Sequence, residues 1–241
     1  MENIANRTVA DIVADNIKTA HVFKRYGIDF CCGGGITVEK ACEKNKVDYG
    51  NLLAEIIATA GNADRQHDYK SWSPGFLADY IVNTHHTYVN ESLNILDQYM
   101  EKVVRVHGQH HPPLLDIQQL YSAVAEELKQ HMMKEERILF PYIKSLENAV
   151  TTHSTMPDVH FGTVKNPIQV MNQEHENAGD LLERINKLTN KYSAPEWACN
   201  TFKALYAKLD EFEQDLHLHV HLENNILFPK AIELESKFNR Q

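Results

Sequence analysis

His131-Met132-Met133-Lys134-Glu135-Glu136-Arg137-Ile138-Leu139-Phe140-Pro141 returns 88 residues later as His219-Val220-His221-Leu222-Glu223-Asn224-Asn225-Ile226-Leu227-Phe228-Pro229. Both stretches read H-x-x-x-E-x-x-I-L-F-P. In a helix, residues i and i+4 lie one above the other with Cβ atoms ~5–6 Å apart. Each copy therefore sets a histidine and a glutamate on one helical face. In both copies that face is the apolar one.

Outward from the repeat, the apolar stripes continue at steps of three and four. The second copy extends a stripe of Phe202, Leu205, Leu209, Phe212, Leu216, His219, Glu223 and Ile226. The first extends Ile117, Leu120, Val124, Leu128, His131, Glu135 and Ile138. Two further segments carry single histidines on similar stripes. One reads Ile81, His85, Tyr88, Ser92, Ile95 and Tyr99; the other reads Ile168, Met171, His175, Ala178, Leu182 and Ile185. This periodicity marks four packed helices at roughly 75–106, 114–146, 167–191 and 196–236. His85 and His175 are 90 residues apart, close to the offset of the repeat. The pattern predicts two helical hairpins related by a pseudo-twofold axis, forming a four-helix bundle.

Six inward donors follow from this pattern: His85, His131, Glu135, His175, His219 and Glu223. A lone histidine on an apolar face is usually a hydrogen-bonded core residue. Two buried carboxylates are different, because an unpartnered buried carboxylate costs several kcal/mol. Four nitrogens and two carboxylates without thiolate suit iron, manganese or zinc. Bridging by both glutamates would give each of two metals two histidines and two carboxylate oxygens, with a position left for a small molecule. Glu127, one turn before His131, and Glu174, beside His175, are candidates to support the ligands from behind. His107 follows the first bundle helix, within potential reach of the site. His86 falls one step off the stripe. Pro141 and Pro229 are expected to mark matching kinks or ends.

Ahead of the bundle, residues 1–60 read as a small helical module, with Thr8 and Thr37 as N-caps and Gly27 as a stop. It contains Asp29-Phe30-Cys31-Cys32-Gly33-Gly34-Gly35. Residues 61–73 are polar and aperiodic, and read as a linker to a bundle over 74–241; Ser73-Pro74 is a helix start.

Composition narrows the remaining classes. Helix formers dominate and no alternating β-branched runs occur, so the class is all-α. The net charge of -9 and the lack of a basic stripe exclude nucleic acid as an expected partner. No apolar run reaches the ~20 residues of a membrane span. The start, MENIANRTVADIV, lacks a signal-peptide pattern, and a cytoplasmic location is expected. Four cysteines are too few for a disulfide scaffold. Adjacent Cys31 and Cys32 have Cα atoms ~3.8 Å apart, too close for an unstrained bridge, so reduced thiols are expected.

These motifs resemble the Repair of Iron Centres family of di-iron proteins, whose bundle is haemerythrin-like. The resemblance rests on Phe23 to Gly34 with its Cys-Cys-Gly-Gly end, on His131–Pro141, on Glu174-His175 and on His219–Pro229, and it covers nearly the whole chain. It implies that the ligands are the six residues selected by periodicity, holding two non-haem irons with an oxo bridge. It also implies that the chain restores iron–sulfur clusters damaged by nitric oxide or oxidants, as a repair or iron-donor protein rather than a turnover enzyme. Damaged iron–sulfur proteins are then its partners, with NO or O2 meeting the iron, and Cys31 and Cys32 are its candidate reactive thiols. Competing readings are a di-iron nitric oxide reductase or peroxidase, and a haemerythrin-like carrier of O2 or NO; a carrier has no need of the cysteine module. A homodimer is compatible with this reading.

Overall fold

The computed structural model describes residues 4–60 and 67–238. Much of the expected linker, 61–66, lies outside the described residues. Eleven α-helices occur among the described residues, and the β-structure there is a single Thr8–Thr37 bridge. The chain divides into two compact units.

The first unit comprises 1–78, 146–156 and 217–241. Its amino-terminal helices are α1 (Val9–Asp15), α2 (Thr19–Arg25), α3 (Val38–Asn45) and α4 (Tyr49–Ala60). Thr8 and Thr37 cap α1 and α3 by accepting from Asp11 and Lys40 backbone N–H groups. Gly27, at φ +67°, ends the α2 region as expected. The cysteine loop is organised by one carboxylate. Asp29 Oδ1 accepts from the backbone N–H of Cys31 and Cys32 at 2.8 and 3.1 Å, and Oδ2 accepts from Gly33 at 2.7 Å. At Gly34 a Cβ would lie 2.4 Å from the Phe30 carbonyl oxygen, so this turn requires glycine. Residues 67–73 pack as an aromatic cluster: a short 3-10 turn, Tyr69–Ser71, buries Tyr69 against Trp72.

The second unit comprises 79–145 and 157–216 and is a four-helix bundle. After α5 (Pro74–Ile81), which begins in the first unit, come α6 (Thr87–His107) and α7 (Pro113–Lys134). The chain continues through α8 (Phe140–Thr151) to α9 (Lys165–Leu188) and α10 (Asn200–Leu222). Ile168, Met171, His175, Ala178, Leu182 and Ile185 of α9 are all buried, as the stripe predicted. So are Phe202 through Leu216 of α10 at the predicted positions.

Two stripes are displaced, for one reason. A π-helical turn over Val82–His86 joins α5 to α6, and another over Glu135–Leu139 joins α7 to α8. A π-turn accommodates one extra residue and rotates everything beyond it by that residue. The inward row of α6 is therefore Val89, Leu93, Leu96, Met100 and Val103, with Ser92 of the predicted stripe also buried, while Ile95 is exposed. After α7, Leu139 is buried and Ile138 is exposed. A third π-turn, Glu223–Leu227, leads from α10 to α11 (Phe228–Ser236) in the first unit. The helices run on past Pro141 and Pro229 rather than ending there. A proline clashes with the carbonyl four residues back in an α-helix, and the wider turn just ahead relocates that carbonyl.

Candidate metal centre

Three of the expected ligand segments coincide with π-turns, a feature that recurs at functional sites. His85 and His86 close the first turn, Glu135 opens the second and Glu223 opens the third. His175 lies mid-way along the uninterrupted α9.

In the second unit, His131, Glu135 and His175 each offer a ligand atom, all within 4.8 Å of one another. His131 Nε2 lies 3.3 Å from Glu135 Oε2 and 2.9 Å from His175 Nε2. The histidine that joins them from the first bundle helix is His86, with Nε2 3.4 Å from Glu135 Oε2. His85, the residue selected by spacing, is also buried, but its Nδ1 lies 3.0 Å from Asp215 Oδ1 and its ring packs edge-on to Tyr80. The π-turn explains the exchange, since it brings His86 into register with Val89, Leu93 and Leu96. In the first unit, His219 Nε2 lies 2.9 Å from Glu223 Oε1, both fully buried.

Glu135, with no solvent exposure, thus has imidazole nitrogens on either side. Each of those rings meets a second carboxylate on its outer face. His86 Nδ1 lies 2.8 Å from Glu136 Oε1, and His131 Nδ1 lies 2.9 Å from Glu174 Oε2. A carboxylate at Nδ1 fixes the proton there and turns Nε2, as a lone-pair donor, inward. Lys134 closes the second chain with a salt bridge to Glu174. The His131 hydrogen bond, against desolvation and helped by Lys134, holds the Glu174 carboxyl down at about 2. Of the two acidic residues singled out in the sequence, Glu174 lies behind the His131 ring, whereas Glu127 is exposed on α7. The sequence reading missed Glu136, although it directly follows a ligand candidate in the repeat. Buried imidazole nitrogens facing a buried carboxylate form the donor set of a hard or borderline cation, and the residues present fit one.

The remaining candidates lie elsewhere. His107 Nε2 is 3.3 Å from Cys199 Sγ at the start of α10. Cys31 is buried, and its thiol donates to Asp29 Oδ1 at 3.2 Å. The neighbouring Cys32 thiol, then burial and Asp29, push the Cys31 thiol well above its ordinary range. Cys32 is exposed; the two sulfurs are 3.9 Å apart and unbridged. Within the first unit this loop packs on the last turn of α10 and on the π-turn that follows it. Asn225 Nδ2 donates to the carbonyls of Phe30 and Cys31 at 3.3 and 3.0 Å, and His221 Nδ1 lies 3.4 Å from the Phe30 carbonyl. Burial pushes His221 down to about 4. No helix among the described residues is long and apolar enough to cross a membrane.

Residues 77–231 match the family model described as the haemerythrin HHE cation-binding domain. Residues 5–60 match one described as a domain of unknown function, DUF542. A Staphylococcus haemolyticus protein named iron-sulfur cluster repair protein ScdA is 36% identical over 223 residues, covering 92% of this chain and 96% of its own. A Staphylococcus epidermidis protein of the same name is 35% identical over 229 residues, with the same coverage. A Yersinia pseudotuberculosis protein named iron-sulfur cluster repair protein YtfE is 37% identical over 211 residues, covering 88% of this chain and 90% of its own. Such coverage takes in both the cysteine module and the bundle.

Proposed function

The chain belongs to the haemerythrin HHE cation-binding family, among the proteins that carry the DUF542 domain ahead of it, and from that premise we propose that it is a non-haem di-iron protein that restores damaged iron–sulfur clusters. The observation that carries this reading is the set of buried donors around Glu135. His86, His131 and His175 present nitrogens to a carboxylate that no solvent reaches. The second H-x-x-x-E copy supplies His219 and Glu223.

The residues that would hold the iron are His86, His131, Glu135 and His175, together with His219 and Glu223 of the second copy of the repeat. His86 takes the place that spacing gave to His85. A bound oxo-bridged iron pair would supply both a releasable store of iron and a redox centre open to NO or O2. The chain's own residues do the rest. Glu136 and Glu174 fix the Nδ1 protons of His86 and His131 and so aim Nε2 inward. Lys134 holds Glu174 as an anion. The apolar rows of α6, α7, α9 and α10 keep bulk water away from the donors. The cysteine loop presents one exposed thiol, Cys32, beside a buried, protonated one, which suits contact with a damaged iron–sulfur protein. Free thiols fit action in the reducing cytoplasm.

Recovery of an oxidant-inactivated iron–sulfur hydratase of the aconitase type tests this reading. The iron-loaded full chain should restore activity. The Glu135→Leu, Glu223→Leu double variant should restore no more than free iron at equal concentration. Equal recovery with the double variant would remove the iron centre from the repair function.

A further inference from the structure

At the end of the bundle where α6 finishes and α10 begins, the second unit holds a second group of chemically capable side chains, unrelated to the ligand set. His107, the last residue of α6, places Nε2 3.3 Å from Sγ of Cys199. They lie 92 residues apart and meet only through the fold. The imidazole is held by ring contacts with Trp197 and Phe202, at centroid distances of 5.7 and 5.6 Å. Cys199 is exposed. Its carbonyl already accepts from Lys203 N–H at 3.0 Å, so it is the residue before the first turn of the 23-residue α10.

We propose that Cys199 and His107 form a thiol–imidazole pair that makes Cys199 a modification site for low-molecular-weight disulfides. A nucleophile within hydrogen-bond reach of a base that is itself held in place is the arrangement that activates a thiol. The other thiols differ from it. Cys31 and Cys42 are buried and pushed upward, Cys31 chiefly by its Cys32 neighbour and Cys42 by burial. Cys32 is exposed, and its partners are the Cys31 thiol and the Asn224 amide, not an imidazole.

In the proposed step the Cys199 S–H proton passes to His107 Nε2. Sγ attacks one sulfur of the small disulfide. The new S–S bond forms as the old one breaks, and the departing thiolate takes its proton from His107. One thiol and one disulfide become one mixed disulfide and one small thiol. Cys199 is oxidised and the leaving half is reduced. About 21 residues of α6 separate His107 from His86, or ~30 Å of helix, so the modification leaves the iron ligands untouched.

Oxidised glutathione, added to the iron-loaded full chain and followed by mass spectrometry of the intact chain and its peptides, tests the pair. Positioned bases contribute ~10²–10⁴ to proton transfers; for this solvent-open pair a smaller factor, about tenfold, is expected. Cys199 should take the first glutathionyl group at least about tenfold faster than Cys32. It should also react faster in the folded chain than in the urea-unfolded chain, a comparison that needs no variant. His107→Gln should slow Cys199 about tenfold while leaving the Cys32 rate and the iron content unchanged. Reaction of Cys199 no faster than Cys32, no faster in the folded chain than in the unfolded one, or at an unchanged rate in the variant would overturn the proposal.

Discussion

Replacing Glu135 by leucine should reverse the order of stability between variant and wild type when iron is added. Glu135 is fully buried, with imidazole nitrogens at 3.3 and 3.4 Å from the same oxygen. Without iron, the desolvation of this carboxylate is not offset by a bond to metal. Exchanging buried ionic groups for apolar ones of similar volume is neutral or stabilising, by about 1–4 kcal/mol. Leucine suits a position between Leu128 and Leu139 on the apolar row. A gain of about 2 kcal/mol corresponds to roughly 4–8 °C in Tm for a chain of this size. With iron the balance changes sign, because a ligand at a hundred times its Kd stabilises the folded state by about 2.7 kcal/mol. Wild type would collect that term and the variant would lose most of it. Calorimetry of both proteins, iron-free and iron-loaded, reads the crossing directly. An iron-free variant less stable than wild type by 3 kcal/mol or more would refute the reasoning, since Glu135 would then be one half of a structural ion pair.

Substituting alanine for His86 should reduce iron to about one per chain by elemental analysis, whereas the same change at His85 should leave two; the opposite pattern would return the ligand role to the spacing-selected residue. Glu174→Gln should keep the bundle helical by circular dichroism but weaken iron binding by ~10–100-fold in chelator competition, the usual effect of removing a carboxylate behind a ligating histidine. An acid-stability comparison tests the buried His221. Its folded pKa of about 4 lies below the unfolded 6.5, so its contribution is intact above pH 6.5 and is lost as pH falls from 6.5 to 4. His221→Asn should flatten the fall in Tm across that window, and an unchanged slope would contradict the burial argument.

Much of this was legible in the sequence because a straight α-helix converts spacing into direction. The rows of α9 and α10, and of α7 up to Glu135, were read correctly from steps of three and four. Reading failed where a helix stopped being an α-helix. A π-turn leaves no residue-type signature of its own, so Val82–His86 looked like a continuous turn, and Tyr88, Ile95 and Tyr99 were each assigned inward one residue early, while Ser92 is buried as expected. The same insertion moved burial from Ile138 to Leu139. One clue was present: Pro141 and Pro229 sit at matching distances after Glu135 and Glu223, and a proline tolerated inside a helix implies a distorted turn just before it. The carboxylates behind the ligands divide in the same way. Glu174 was visible as the neighbour of His175, although it serves His131 on a different helix. Glu136 gave no periodic signal, because it points to a histidine 50 residues away. Nor could spacing show that His107 meets Cys199, since loop geometry decides that encounter.

The proposed centre is an iron pair held by nitrogen and carboxylate ligands. Mössbauer spectroscopy of the full chain reconstituted with ⁵⁷Fe, combined with iron and protein quantitation on the same sample, tests it most directly. The expected result is two irons per chain and a diamagnetic, antiferromagnetically coupled diferric doublet that is lost in the Glu135→Leu variant. A single iron, a magnetically isolated ferric signal, or a coupled pair that persists in Glu135→Leu would contradict it.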